Sequence, residues 1–121
     1  MKVSKVRLGL STASRLRLSW EFRKAKENGQ RLAVGCLIAN WLPSQDLQHS
    51  RVGVVSSKQI GSAVIRNRAR RLLREAFRLH QHEFKRPVSL VLVARRSIVN
   101  CSFQDVERDF LRALRNARLL G

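Results

Sequence analysis

The sequence predicts an α/β (α+β) two-layer sandwich, with helices packed on one small sheet. Three observations lead there. Ile65, Ala69, Leu72, Leu73, Ala76 and Phe77 recur at helical spacing and define a buried stripe on a long helix over about 60–84. Val88 to Ala94 (VSLVLVA) is a near-continuous apolar run, as expected of a central strand covered on both faces. Ser102 and Asp105 match a capping box ahead of a second stripe, Val106, Phe110, Ala113, Leu114 and Ala117.

The remaining elements follow in order. Residues 1–15 are basic and poorly periodic, and are expected to form an irregular arm. A first helix is expected over 19–28, with Ser19 as its N-cap, Glu21 in its first turn and Gly29 at its stop. Trp20 and Phe22 are two apart on it and cannot share a face. Ala33 to Leu42 reads as a strand, Pro43 to Ser50 as a polar loop, and Arg51 to Ser56 as a second strand, open to pairing antiparallel with the first. Pro87 closes the long helix. The pattern is helix, strand, strand, helix, strand, helix.

A chain of 121 residues that is 44% hydrophobic suits a single domain, 1–121, with one modest core. Its charge is the outlier. Lys and Arg number 25 against 8 Asp and Glu, for a net charge of +17 and a pI near 11.9. Such a balance points to a polyanionic partner, with nucleic acid ahead of an anionic membrane surface. No stretch approaches the roughly 20 apolar residues that cross a bilayer, and no signal peptide is visible. Cys36 and Cys101 lack zinc-site spacing and read as reduced, packed thiols of a cytoplasmic protein, although spacing alone leaves a disulfide between them open.

The densest chemistry lies between Lys58 and Arg78. Arg66, Arg70 and Arg74 recur one turn apart, and are expected opposite the apolar stripe. Asn67, Arg71 and Arg78 form a row beside them, with Arg68 at the margin. Arginine's planar fork of donors matches phosphate. A solvated face would alternate in sign, whereas only Glu75 interrupts this one. Gly61 precedes the helix, and Ser62 is positioned to cap it. No catalytic constellation accompanies the strip. His49, His80 and His82 are scattered. Asp105 and Asp109 lie one turn apart, but the capping box and neighbouring arginines account for them better than a metal does. No phosphate-binding glycine loop, nucleophile elbow or paired catalytic carboxylates are present.

The run around Arg66-Asn67-Arg68 resembles the protein component of bacterial ribonuclease P. That family carries a lysine-rich turn, then Gly-x-Ala-Val-x-Arg-Asn-Arg, further basic residues, and Arg-Glu or Arg-Gln. This chain has Lys58, Gly61, Ala63, Val64, Arg66, Asn67, Arg68, Arg70, Arg71, Arg74 and Glu75 in that register. The likeness extends over nearly the whole chain.

The resemblance implies a small mixed sheet in the order α-β-β-(β)-α-β-α, with a left-handed βαβ crossover over about 52–94, against the usual right-handed preference. It implies a protein that binds a large catalytic RNA and the 5′ leader of precursor tRNA, and promotes endonucleolytic removal of that leader. The chemistry and its Mg²⁺ then belong mainly to the RNA, no residue of this chain is catalytic, and no protein partner is implied. RNA contact falls to Lys58, Arg66, Asn67, Arg68, Arg70, Arg71 and Arg74. Leader contact falls to Phe22, Lys26, Ile38 and Asn40. Positions matching Lys26 and Asn40 are often aromatic in relatives, so leader affinity here is expected to depend more on charge and salt. The rival readings are a structural RNA-binding protein, a major-groove DNA binder and a protein-only nuclease.

Overall fold

The computed structural model describes residues 29–43 and 50–121. The expected N-terminal arm, the helix over 19–28 and most of the loop before Ser50 lie outside the described residues.

Four strands form one mixed sheet. β1 (Gln30–Val34) and β2 (Leu37–Pro43) make an antiparallel hairpin, with Val34 opposite Leu37 and Arg31 opposite Asn40. The single strand expected from Ala33 to Leu42 is therefore two strands, folded back at Gly35 and Cys36. Gly35 has φ +57°, and glycine at the first position of a two-residue loop matches the twist of a hairpin. An apolar run hides this, because both sides of the turn are buried.

β3 (Arg51–Val55) does not pair with the hairpin, contrary to the antiparallel pairing considered above. It lies parallel to β4 (Val88–Ala94), and β4 pairs antiparallel with β2 on its other side. The strand order is β1-β2-β4-β3. The reason is connectivity: a long helix after β3 returns the chain alongside it, as parallel neighbours require. β4, apolar on both faces, takes the interior position that its sequence implies.

Helix α1 (Ala63–His80) is preceded by a short 3-10 turn, Lys58–Ile60, and ends well before Pro87. A second 3-10 turn, Arg96–Asn100, leads to α2 (Phe103–Asn116). The predicted capping box is present in full: Asp105 N donates to Ser102 Oγ at 3.2 Å, and Ser102 N donates to Asp105 Oδ2 at 3.0 Å. The backbone donation to Asp105 holds its carboxyl below the usual range.

The alternation of β4 sorts the sheet into faces. Val88, Leu90, Leu92 and Ala94 join the main core with Leu37, Ala39 and Trp41 of β2, and with Val52 and Val54 of β3. Ala69, Leu73, Ala76 and Phe77 of α1 enter the same core, as do Val106, Phe110, Ala113 and Leu114 of α2. Each fully buried Leu or Phe contributes on the order of 2 kcal/mol. Val91 belongs to the opposite face, packed with Val55 and Val93.

The hairpin is locked to α2 through a buried carboxylate. Asp109 is 4% exposed, and its Oδ2 accepts from Cys36 N at 3.1 Å. A Cβ on Gly35 would lie 2.1 Å from that oxygen, so glycine is needed here for close approach as well as for its φ. Arg95 adds two ties: its NH1 donates to Gly35 O at 3.2 Å, and its N donates to Cys36 O at 2.9 Å. Both cysteines are free. Burial, then the Asp109 carboxylate, pushes the Cys36 thiol far up.

Candidate nucleic-acid interface

The interface begins at the turn into α1. Ile60 is buried and anchors the turn, while Lys58 stays exposed. Gly61 has φ +152° and ψ −154°, a region open essentially to glycine alone. Ser62 caps the helix as expected, its Oγ accepting from Ile65 N at 3.4 Å.

From there the basic residues divide by what they touch. Arg68 NH2 donates to Cys101 O at 2.7 Å and ties α1 to the turn before α2. Arg70 NH1 donates to Ser56 Oγ at 2.8 Å, and its NH2 donates to Asn67 Oδ1. Ser56 Oγ in turn donates to Arg66 O at 3.2 Å. Arg78 grips Glu75 through Nε at 2.8 Å and NH2 at 2.6 Å, and holds that carboxyl below its usual range. Asn67, Arg71 and Arg74 are exposed.

This arrangement corrects one expectation. Arg66 and Arg70 do not lie opposite the apolar stripe. They are half-buried on its flank, against the end of β3, while the exposed pole carries Asn67, Arg71 and Arg74. At 100° per residue, positions 66 and 70 lie beside Phe77 on the helix wheel, so the row starts on the flank of the core and drifts outward to the exposed Arg74. Val64, 77% exposed, sits one turn before Arg68 and Asn67. From Arg66 to Arg78 the strip runs about 18 Å along a rigid axis. Guanidinium groups spaced along such an axis can meet successive phosphates.

The leader residues separate. Phe22 and Lys26 lie outside the described residues. Ile38 and Asn40 are neighbours on the face opposite the helices, paired in register with Val93 and Val91. Ile38 is half-buried and Asn40 is 3% exposed. Val55 of β3 joins Val93 there, and the next residue, Ser56, is the one that holds Arg70. The floor of this face and the cationic strip thus meet at the end of β3.

Sequence reasoning missed two features. Asp109 pairs with the neighbouring Arg108 as its sequence context implies, at 3.5 Å, but only the fold brings it to Gly35 and Cys36. Arg118 has φ +59° just beyond α2, where its N donates to Arg115 O at 3.0 Å and Leu119 N donates to Leu114 O at 2.9 Å. That is the Schellman ending usually marked by glycine. With arginine in the position, no signal announced it.

Among the described residues, no three His, Cys, Asp or Glu side chains converge on a point that could hold a metal. No helix among them is long and apolar enough to cross a membrane.

The family model described as Ribonuclease P matches residues 10–118. The ribonuclease P protein component of Syntrophomonas wolfei is 38% identical over 112 residues, covering 93% of this chain and 93% of that protein. The one from Desulfatibacillum aliphaticivorans is 41% identical over 83 residues, covering 69% of this chain and 70% of its own. The fold is similar to that of the Staphylococcus aureus RNase P protein, with a TM-score of 0.81 at 21% identity, over 89% of this chain and 98% of that one. It is also similar to the RNase P protein from Thermotoga maritima, with a TM-score of 0.76 at 25% identity, over 88% and 98% of the two chains.

Proposed function

The chain belongs to the ribonuclease P protein family, and from that premise we propose that the exposed pole of α1 meets the catalytic RNA while the outer sheet face meets the precursor tRNA leader. As a ribonuclease P protein component it works with the ribonuclease P RNA in maturing the 5′ end of tRNA, within a ribonucleoprotein endoribonuclease. The observation that supports the placement is the exposed row Asn67, Arg71 and Arg74, flanked by Arg66 and Arg70 and preceded by Lys58.

Two polyanions must come together for cleavage, and a cationic surface between them lowers their repulsion. Arg68 and Arg70, spent partly on Cys101 O and Ser56, act as much by fixing the strip as by touching RNA. On the outer face Ile38 offers an apolar contact and the buried Asn40 supports the floor beside it, with Phe22 and Lys26 completing the leader contact. In this reading Mg²⁺ is held mainly by the RNA. The left-handed hand of β3–α1–β4 and a cytoplasmic location belong to the same reading.

The test is cleavage of 5′-labelled precursor tRNA at low Mg²⁺ by a bacterial ribonuclease P RNA, with and without this protein. Cleavage at the mature 5′ end that requires both is the expected result. Arg66→Ala with Arg71→Ala should weaken assembly with the RNA, and normal assembly at physiological salt would remove the strip from the interface. Phe22→Ala should weaken leader-bearing substrate more than mature tRNA. Tight RNA binding without stimulated cleavage would favour a purely structural RNA-binding role.

A further inference from the structure

A second cationic cluster lies away from the strip. Lys85 and Arg86 come from the connection between α1 and β4, Arg115 from the last turn of α2, and Arg118 from just beyond it; all four are exposed. They surround two adjoining cavities that share Lys85 and Arg118. One, of about 460 Å³, also takes in Arg115 and Glu83. The other, of about 310 Å³, takes in Arg86, Gln30 and Trp41.

Among the described residues, no carboxylate is paired with any of these four cations. Glu83 is already engaged, its Oε2 at 2.5 Å from His80 Nδ1. The two segments carrying the charges are also strapped together. Lys85 N donates to Leu119 O at 3.0 Å, Gly121 N donates to Glu83 O at 2.8 Å, and Phe84 bridges antiparallel to Leu120. The positions are thereby held before any ligand arrives.

Arg118 is the one non-glycine residue in the left-handed region among those described. A strained backbone there would suit glycine, yet a long cation occupies it and projects from the helix end. Attraction to the α2 dipole accounts for cations at 115 and 118. It does not account for Lys85 and Arg86, which arrive from another part of the chain.

We infer that Lys85, Arg86, Arg115 and Arg118 form a second RNA-binding site, which takes the sugar–phosphate backbone of RNA rather than its bases. This rests on the ribonucleoprotein reading above. Trp41 is 6% exposed and Phe84 is half-buried, so neither presents a face for stacking. Forked arginines and a lysine around a concavity fit phosphate oxygens and carry no sequence information. α1 has 18 residues and so rises about 27 Å, with Arg66 near its start and this cluster beyond its end. The protein therefore holds RNA at both ends of one rigid helix.

The test combines Lys85→Ala, Arg115→Ala and Arg118→Asn, since asparagine tolerates the left-handed backbone. A second variant, Lys85→Glu with Arg86→Glu, leaves that backbone untouched. Two affinities are measured across a salt series: protein for a bacterial ribonuclease P RNA, and preassembled holoenzyme for precursor tRNA. The expected result is a loss of at least about tenfold near physiological salt in one arm, which identifies the RNA bound, with a log–log salt slope shallower by about 2 for the triple variant. Circular dichroism melting should be unchanged for the charge-reversal pair. Wild-type affinity and slope in both arms, alongside impaired binding by Arg66→Ala with Arg71→Ala, would overturn the second site and leave the function standing. Unimpaired binding by all the variants would overturn both.

Discussion

Gly35→Ala tests the tie between the hairpin and α2. An alanine Cβ would sit 2.1 Å from Asp109 Oδ2, too close for any contact to persist. The carboxylate must move, and Cys36 N then loses its buried acceptor. An unsatisfied buried N–H costs about 1–3 kcal/mol, and alanine at φ +57° adds about 1 kcal/mol. The single variant should therefore lose about 2–4 kcal/mol, read as a lower urea midpoint and a Tm lower by roughly 10 °C. Removing the obstacle separates the two contributions. Asp109→Ala already forfeits the hydrogen bond, so adding Gly35→Ala to it should cost only the backbone strain of about 1 kcal/mol. A coupling of about 1–3 kcal/mol in the double-mutant cycle is the signature of a direct contact. Equal losses from Gly35→Ala in both backgrounds would refute the reasoning, since the strain would then be purely local.

His80 bridges three elements, with Nε2 at 2.8 Å from Glu107 Oε2 and Nδ1 at 2.5 Å from Glu83 Oε2. Burial opposes its protonation, but the two carboxylates outweigh burial and raise its pKa above the ordinary 6.5. The imidazolium thus contributes stability that is fully present below the unfolded value and is lost as pH rises through the folded one. The urea midpoint of His80→Gln, referenced to wild type, should show the larger deficit at acidic pH; an equal deficit on both sides of neutrality would exclude the ion-pair account. Ser102→Ala removes one half of the capping box and should lower stability by about 1 kcal/mol in urea unfolding. Arg68→Ala should destabilise the free protein by about 1 kcal/mol through the lost bond to Cys101 O, while Arg71→Ala should leave unfolding unchanged and weaken RNA binding alone.

These contrasts show where sequence speaks and where it is silent. Ser102 and Asp105 announce the start of α2 because a cap is a local bargain between residues three apart. Val88 to Ala94 announces a central strand because burial on both faces leaves no polar alternation. The turn at Gly35 and Cys36 is silent, since its neighbours are apolar for a reason of tertiary origin. The pairing of β3 with β4 is silent too, because register and direction depend on where α1 returns the chain. Within the interface, the arginines were legible as a class from composition and motif. Which of them face solvent was not: that depends on the rotation of α1 against the sheet, and on Ser56 and Cys101 as partners distant in sequence.

The place of β4 has a consequence for how the chain is made. The hairpin β1–β2 and the strand β3 do not pair with each other; each is joined to the sheet through β4, which is synthesised after both of them and after α1. While the polypeptide emerges from the ribosome, the hairpin can close early, but β3 waits with an open edge for residues 88–94. The sheet is thus completed by the insertion of one apolar strand between two waiting edges, before α2 docks, with pairing that reaches back from Ala94 to Leu37. Sequence-distant closure of this kind is slow relative to helix formation. The interval in which the unpaired edges are exposed is when this chain is most open to aggregation.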